Sequence, residues 1–436
     1  MGKALEAKAS SAPEFELEAS DADTEATPQV GKRVPPVAAA WMNLTKNLVG
    51  AGIFSLPSAL LSGSVSFGLL AMLLVCLFSG SSFVLIAWLC KRLRCETYRE
   101  IWSAAFGRKS CAIIDGFIVV NGCFACVAYT ILVADFLHKA MEGMGMSPSR
   151  TVLILCNTCC FMLPLSHARD LSALRYTSMM GLAIIGFVIL FIVLDCLESW
   201  DVASANLEAH VARLNLGIFR TIAICTGAFQ AHYNAPRILK QLHGDLPAHG
   251  RTVLASFGTA FAVYAVFSLA GLGLFGDALL GNVLRNYDPD SVAIMMAWFG
   301  MAFAIIFTYP LVFTAARDSF IESQPALQKA LRQSPTLAHV AITSSMVLAI
   351  STVACCIEDV SKVTGTLGAV IGSSLCWICP SCVYLKLSRK GRLSAPLMGK
   401  TAGRLSRSFA LEVYATSLIA VGSVSIVVGV HAVWSH

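Results

Sequence analysis

The sequence predicts an all-α, polytopic membrane protein of about eleven transmembrane helices. Hydrophobic residues make up 56% of the 436 and charged residues 13%, about half of the roughly 25% charge carried by a soluble domain. So little charge cannot cover a water-facing surface, whereas lipid accepts helices whose backbone polar groups are satisfied internally. The third observation is a succession of apolar segments, each close to the ~20 residues that cross a bilayer. They fall at 38–62, 65–90, 111–138, 151–168, 174–195, 216–241, 251–276, 291–316, 337–357, 360–386 and 409–434. The segment at 151–168 is the shortest, and only Glu358 and Asp359 separate the ninth from the tenth.

Residues 1–37 precede the first segment. They carry Glu14, Glu16, Glu18, Asp21, Asp23 and Glu25 among small residues, the composition of a disordered cytosolic tail. No cleavable signal peptide is visible. Residues 38–434 form the transmembrane domain. With the N-terminus in the cytosol, 25 of the 32 Lys and Arg fall on the inner side, as the positive-inside bias requires. An odd number of spans then puts the C-terminus outside.

The net charge of +6 is spread over short loops and does not point to nucleic acid. The sixteen cysteines lie mostly inside apolar runs, among them Cys156, Cys159, Cys160, Cys376, Cys379 and Cys382. Their C-x-x-C spacings read better as small hydrophobes than as a metal site, which needs polar support around its thiolates. No metal is expected. No G-x-x-x-x-G-K-[ST] stretch occurs, which argues against an ATP-driven pump. The nine histidines are scattered, with no convergent set for an intramembrane enzyme.

Two segments depart from plain membrane helices. The first reads Asn43-Leu-Thr-Lys-Asn-Leu-Val-Gly-Ala-Gly-Ile-Phe-Ser-Leu-Pro57, with Gly50 and Gly52 at mid-span. The sixth reads Thr226-Gly-Ala-Phe-Gln-Ala-His-Tyr-Asn-Ala-Pro236. Glycine and proline weaken helices, and polar side chains are costly against lipid. The second follows the first by five segments, so each opens a five-helix half and the halves are inverted. Interrupted helices at matching positions of two halves point to a transport site. Unwound N–H groups at a half-helix start can hold a carboxylate, and free carbonyls an ammonium. The substrate-binding set expected is Asn47, Gly50, Ala51, Gly52, Gly227, Phe229, His232 and Asn234, with Phe229 as an aromatic cover. The bland readings are close helix packing for the glycines and a satisfied core histidine for His232. Arg220 reads more readily as snorkelling to the outer interface than as a gate. Asp115 and Asp135 are expected near the two ends of span three.

At these residues the chain resembles the amino acid/auxin permease family. The resemblance rests on Lys46-Asn-Leu-Val-Gly-Ala-Gly-Ile53 with Leu56-Pro57, on Ala231-His-Tyr-Asn-Ala-Pro236, which is similar to algal and protist members, and on Thr308-Tyr-Pro310. The last is similar to the Thr-x-Pro of sodium-coupled neutral amino acid transporters. The resemblance implies ten core helices in a five-plus-five inverted repeat, one peripheral helix, and an amino acid held between the broken helices 1 and 6. Secondary active transport by alternating access follows from it. The competing class is an amino acid sensor on the same fold. One departure stands out: where the sodium-coupled branch has an Asn that helps bind sodium, this chain has Lys46, followed by Asn47. Lys46 and Thr308 are therefore the ion-coupling candidates. Lys46 favours protons, Thr308 favours sodium, and protons are favoured slightly. No cofactor beyond such an ion and no obligate protein partner is implied. The expected location is the plasma membrane or a vacuolar or other endomembrane.

Overall fold

The computed structural model describes residues 36–168, 174–212, 216–289, 291–391 and 402–435. The acidic tail and the basic residues Arg169 and Arg392 lie outside the described residues. The helical domain begins at Pro36, two residues before the boundary expected. The fold is all-helical. Among the described residues eight helices are long and apolar enough to cross a membrane, and a ninth span is a pair bent by 51°.

That pair is the first segment. Helix α1 (Pro36–Leu48) stops two residues before Gly50, whose backbone is extended at φ −128°, ψ −165°. A 3₁₀ turn (Ala51–Ser55) then leads into α2 (Leu56–Gly63), with Pro57 in its first turn. Proline is tolerated there because the N–H it lacks would have no helical partner anyway. Helix α3 (Val65–Leu93) crosses back; its 29 residues reach about 43 Å at 1.5 Å per residue. Helix α4 (Tyr98–Phe106) is a short connector capped by Thr97, whose hydroxyl accepts from Glu100 N at 3.1 Å. Helix α5 (Cys111–Glu142) is the long third span.

The expected segment at 151–168 is built from α6 (Arg150–Asn157), a π turn (Thr158–Met162) and α7 (Leu163–His167). Pro164 fits because it opens α7. Helix α8 (Leu174–Glu198) is the fifth span, and Phe187, Leu190, Leu194 and Leu197 on its flank are exposed. Helix α9 (Trp200–Ala209) leads to the sixth segment. That segment is interrupted as expected: α10 (Ile218–Ala228) ends, a 3₁₀ turn (His232–Asn234) follows, and α11 (Ala235–Gln241) completes it. The remaining elements are α12 (Leu246–Phe275), α13 (Val292–Ser323), the short α14 (Pro325–Gln333), α15 (Pro335–Cys356), a tenth span and α18 (Ala402–Trp434). The tenth span runs from α16 (Val360–Thr366) through two π turns (Leu367–Gly372, Ser374–Ile378) to α17 (Cys379–Arg389).

Small residues let these helices approach closely, as membrane interfaces favour. Gly122 of α5 abuts Ala316 of α13, and Gly181 of α8 lies against Ala304 of α13. Helices α5, α8 and α13 thus form one packed group. Helix α12 packs along α1, α3 and α9, while α10 packs on α2, α3 and the first π turn of the tenth span. Helix α18 exposes Val421, Val424 and Val427, which suits a peripheral position.

Candidate functional site

The two interrupted helices run in opposite directions, so the C-terminal ends of α1 and α10 meet inside the domain. The last turn of each carries carbonyls with no helical partner and the negative end of a dipole. Tyr264 of α12 addresses both. Its buried hydroxyl lies 2.5 Å from the Leu48 carbonyl oxygen and 3.1 Å from that of Ala228. A tyrosine has a single O–H to donate, so two acceptors share one proton. Sequence reading missed Tyr264, because a tyrosine in an apolar span carries no mark of its partners.

A cavity of about 1060 Å³ opens beside the breaks, at the upper end of the roughly 300–1,000 Å³ of small-molecule sites. Five expected residues line it: Lys46, Asn47, Gly50, Asn234 and Thr308. Asn47 donates to the Asn43 carbonyl at 3.0 Å, and Thr308 to the Ala304 carbonyl at 2.7 Å. The Thr308 lone pairs remain available. Two residues on, Pro310 lies inside α13 and leaves the Ile306 carbonyl without its helical donor. Gly50 has open space where a Cβ would stand, and so has Gly52 in the adjoining 3₁₀ turn. Neither glycine has a positive φ, so it is room and not backbone conformation that a side chain at Gly50 would take.

The other expected residues sit elsewhere. Gly227 packs against the tenth span: a Cβ on it would stand 3.2 Å from Gly368 Cα and from the Thr364 carbonyl oxygen. It is a helix-packing glycine, outside the cavity lining. Phe229 is fully buried, stacked on Phe257 at 6.0 Å and edge-on to Tyr264 at 5.1 Å. It wedges the break from behind and does not cover the cavity. His232 is also fully buried, with Nε2 2.9 Å from Ser82 Oγ and 3.0 Å from the Ser79 carbonyl oxygen on α3. A carbonyl can only accept, so Nε2 carries the proton. The ring anchors the 3₁₀ turn to α3 through Nε2, while its buried Nδ1 has no partner among the described residues. Ala51 opens the first 3₁₀ turn.

The cavity recruits residues that sequence reading did not assign to it, chiefly Asn121 of α5, Tyr129, Tyr233 and Arg237. Asn121 Oδ1 accepts from Gln230 Nε2 at 2.8 Å, tying α5 to the break in the sixth segment. Gln230 was visible as a polar residue in an apolar run; Asn121 had no motif around it.

From the breaks the cavity runs toward the face on which α1 begins and α11 ends, reaching Asn43, Lys240 and Gln241. At that mouth Lys240 Nζ lies 2.7 Å from Glu96 Oε2, and the hydrogen bond from Lys240 holds the Glu96 carboxyl below the usual carboxylate range. The opposite face is shut. Arg220 donates to Ser62 Oγ at 3.1 Å and Ser361 Oγ at 2.8 Å, with Asp359 at 3.8 Å. Thr221 donates to the Ala59 carbonyl at 2.6 Å. These contacts bind α10 to α2 and to the start of α16. The snorkelling expected of Arg220 does not occur, because three partners turn it inward. Beside it, Arg150 pairs with Asp135 at 3.4 Å and donates to the Ile357 carbonyl at 2.9 Å, closing the C-terminal end of α15. Asp115, at the other end of α5, pairs with Arg99 at 3.1 Å.

Two helices broken at matching places around one cavity, in an all-helical inverted repeat, define a membrane transporter fold. A solved structure titled a substrate-bound, outward-open Na+-coupled sialic acid symporter shares that fold, with a TM-score of 0.54 at 13% identity over 90% of each chain. Residues 36–402 match the family described as transmembrane amino acid transporter protein, and the chain belongs to that family. A putative sodium-coupled neutral amino acid transporter 11 of Danio rerio is 27% identical over 81% of this chain and 80% of its own length. The vacuolar amino acid transporter 5 of Schizosaccharomyces pombe is 23% identical over 86% and 90%. The family is one of transporters and not of enzymes.

Proposed function

We propose that this protein is a secondary active transporter that moves amino acids by alternating access and draws on a proton gradient in preference to sodium. The observation that carries the reading is the cavity itself. It touches both helix breaks, through Gly50 and Asn234, and reaches one face while Arg220 seals the other. With the N-terminus in the cytosol, as the Lys and Arg distribution favours, this is an inward-facing state. The outer half of the first segment starts at Ala51 and offers free N–H groups to a substrate carboxylate.

Coupling is read from Lys46 and Thr308, which line the same cavity from α1 and α13. An ammonium held on the chain repels sodium and braces α1 against α13 in its place. Loading and release of its proton then accompanies the cycle. Vacuolar relatives make an endomembrane as suitable a location as the plasma membrane. The test is uptake by proteoliposomes of a panel of amino acids, under a pH gradient with sodium or with choline. Uptake that persists in choline and collapses with the pH gradient is expected. Loss of uptake on replacing sodium by choline at fixed pH overturns the proton assignment and leaves transport standing.

A further inference from the structure

We infer that the cavity is built for an amino acid with an anionic side chain, with Lys46 as the partner of that side-chain carboxylate. The inference rests on the transport reading and narrows its substrate class. Its starting point is the charge of the wall. The cavity is lined by Lys46, Arg237 and Lys240, and among the described residues no Asp or Glu lines it. Lys240 is committed to Glu96 at 2.7 Å. Neither Lys46 nor Arg237 has a carboxylate within 4.0 Å among the described residues.

Position sharpens the point. Lys46 stands in the last turn of α1, four residues before Gly50, and both line the cavity. Arg237 follows Asn234 by three and stands in the same relation to the second break. Both cations therefore flank the place where the helix ends take the two charges of the amino acid backbone. The third charge, that of the side chain, decides the rest. A cationic side chain would enter a wall that holds two cations without a carboxylate partner, the half-buried Lys46 and the exposed Arg237, and no acid, and like charges disfavour one another most at the half-buried Lys46. A neutral side chain would leave Lys46 unpaired as the site closes around it, and a buried charge is costly unless paired. A carboxylate resolves both, and the three N–H donors of the ammonium allow it to keep a contact to Thr308 as well. The uncharged polar lining of Asn47, Asn121 and Asn234 adds no negative charge with which a cationic side chain could pair.

Glutamate and glutamine separate charge from size, and lysine supplies the opposite sign. Purified protein in proteoliposomes, measured by competition for binding, is expected to prefer glutamate over glutamine by at least tenfold and to ignore lysine. Lys46→Gln should bring the glutamate-to-glutamine ratio near one, Lys46→Arg should keep it, and Arg237→Gln should lower it less. A ratio taken on one preparation does not depend on how much protein has folded. Glutamine or lysine binding as well as glutamate in the unmutated protein, or an unchanged ratio in Lys46→Gln, overturns the acidic assignment and leaves amino acid transport intact. No binding and no ligand-induced thermal shift with any of the three overturns the acidic assignment, and no uptake of any amino acid of the wider panel overturns the transport reading as well.

Discussion

The two helix breaks look alike in sequence and are built differently. The break in the first segment is loose: Gly50 and Gly52 have open space around them, and Gly50 borders the cavity. The break in the sixth is wedged. Gly227 lies on Gly368, Phe229 is stacked on Phe257, and His232 is bonded to α3. Interruption of a helix frees backbone groups, but only the surroundings decide whether a ligand or the protein itself takes them up. Here the first break borders the cavity at Val49 and Gly50, and the sixth at Tyr233 and Asn234.

Three substitutions break or sharpen this contrast. Gly50→Val is expected to reduce uptake by more than about 100-fold, a barrier of ~2.7 kcal/mol, with the melting temperature unchanged. The extended backbone accepts a β-branched residue, and no atom stands within 4 Å of the new Cβ. A collapse of expression instead would mean that the first break is as tightly packed as the sixth. Gly227→Ala should do the reverse. Its Cβ meets backbone atoms of the tenth span at 3.2 Å, which cannot swing aside, so overpacking of about 1–3 kcal/mol is expected. The measurement is a fall in melting temperature with an unaltered KM in the protein that survives; a raised KM at full stability would return Gly227 to the binding site. Tyr264→Phe should cost less, about 1 kcal/mol. A fall in turnover of about fivefold is expected with a modestly lowered melting temperature, and an unchanged rate would separate the two breaks from Tyr264.

Much of the architecture was legible because it rests on period and composition. Apolar runs of bilayer length give the spans, and Gly-x-Gly with a downstream Pro57 locates the first break. The sixth break was legible as a cluster of polar residues in an apolar run. What each residue of that cluster does was not, because its role is set by partners far away in the chain. His232 answers to Ser79 and Ser82, more than 140 residues earlier, and Gly227 to Gly368. Short motifs record where a helix stops and leave open which side chains turn toward the void. Arg220 was misjudged for a related reason. Snorkelling is the default for an isolated arginine near an interface, and the sequence does not reveal that Ser62, Ser361 and Asp359 converge on it.

The shared proton of Tyr264 bears on how faithfully such a machine runs. A carrier wastes its gradient whenever one of its two moving parts relaxes alone and lets an ion slip through without cargo. The Leu48 and Ala228 carbonyls draw on one hydroxyl anchored in α12. Displacement of either helix end releases the proton to the other and leaves the departing carbonyl unserved in a dry interior. The two helix ends are thereby tied through α12, and moving both away from it leaves both carbonyls unserved. In the proposed ion-coupled cycle, Tyr264→Phe would then show itself not only in a slower turnover but in its stoichiometry, as ion flux that continues when no amino acid is present.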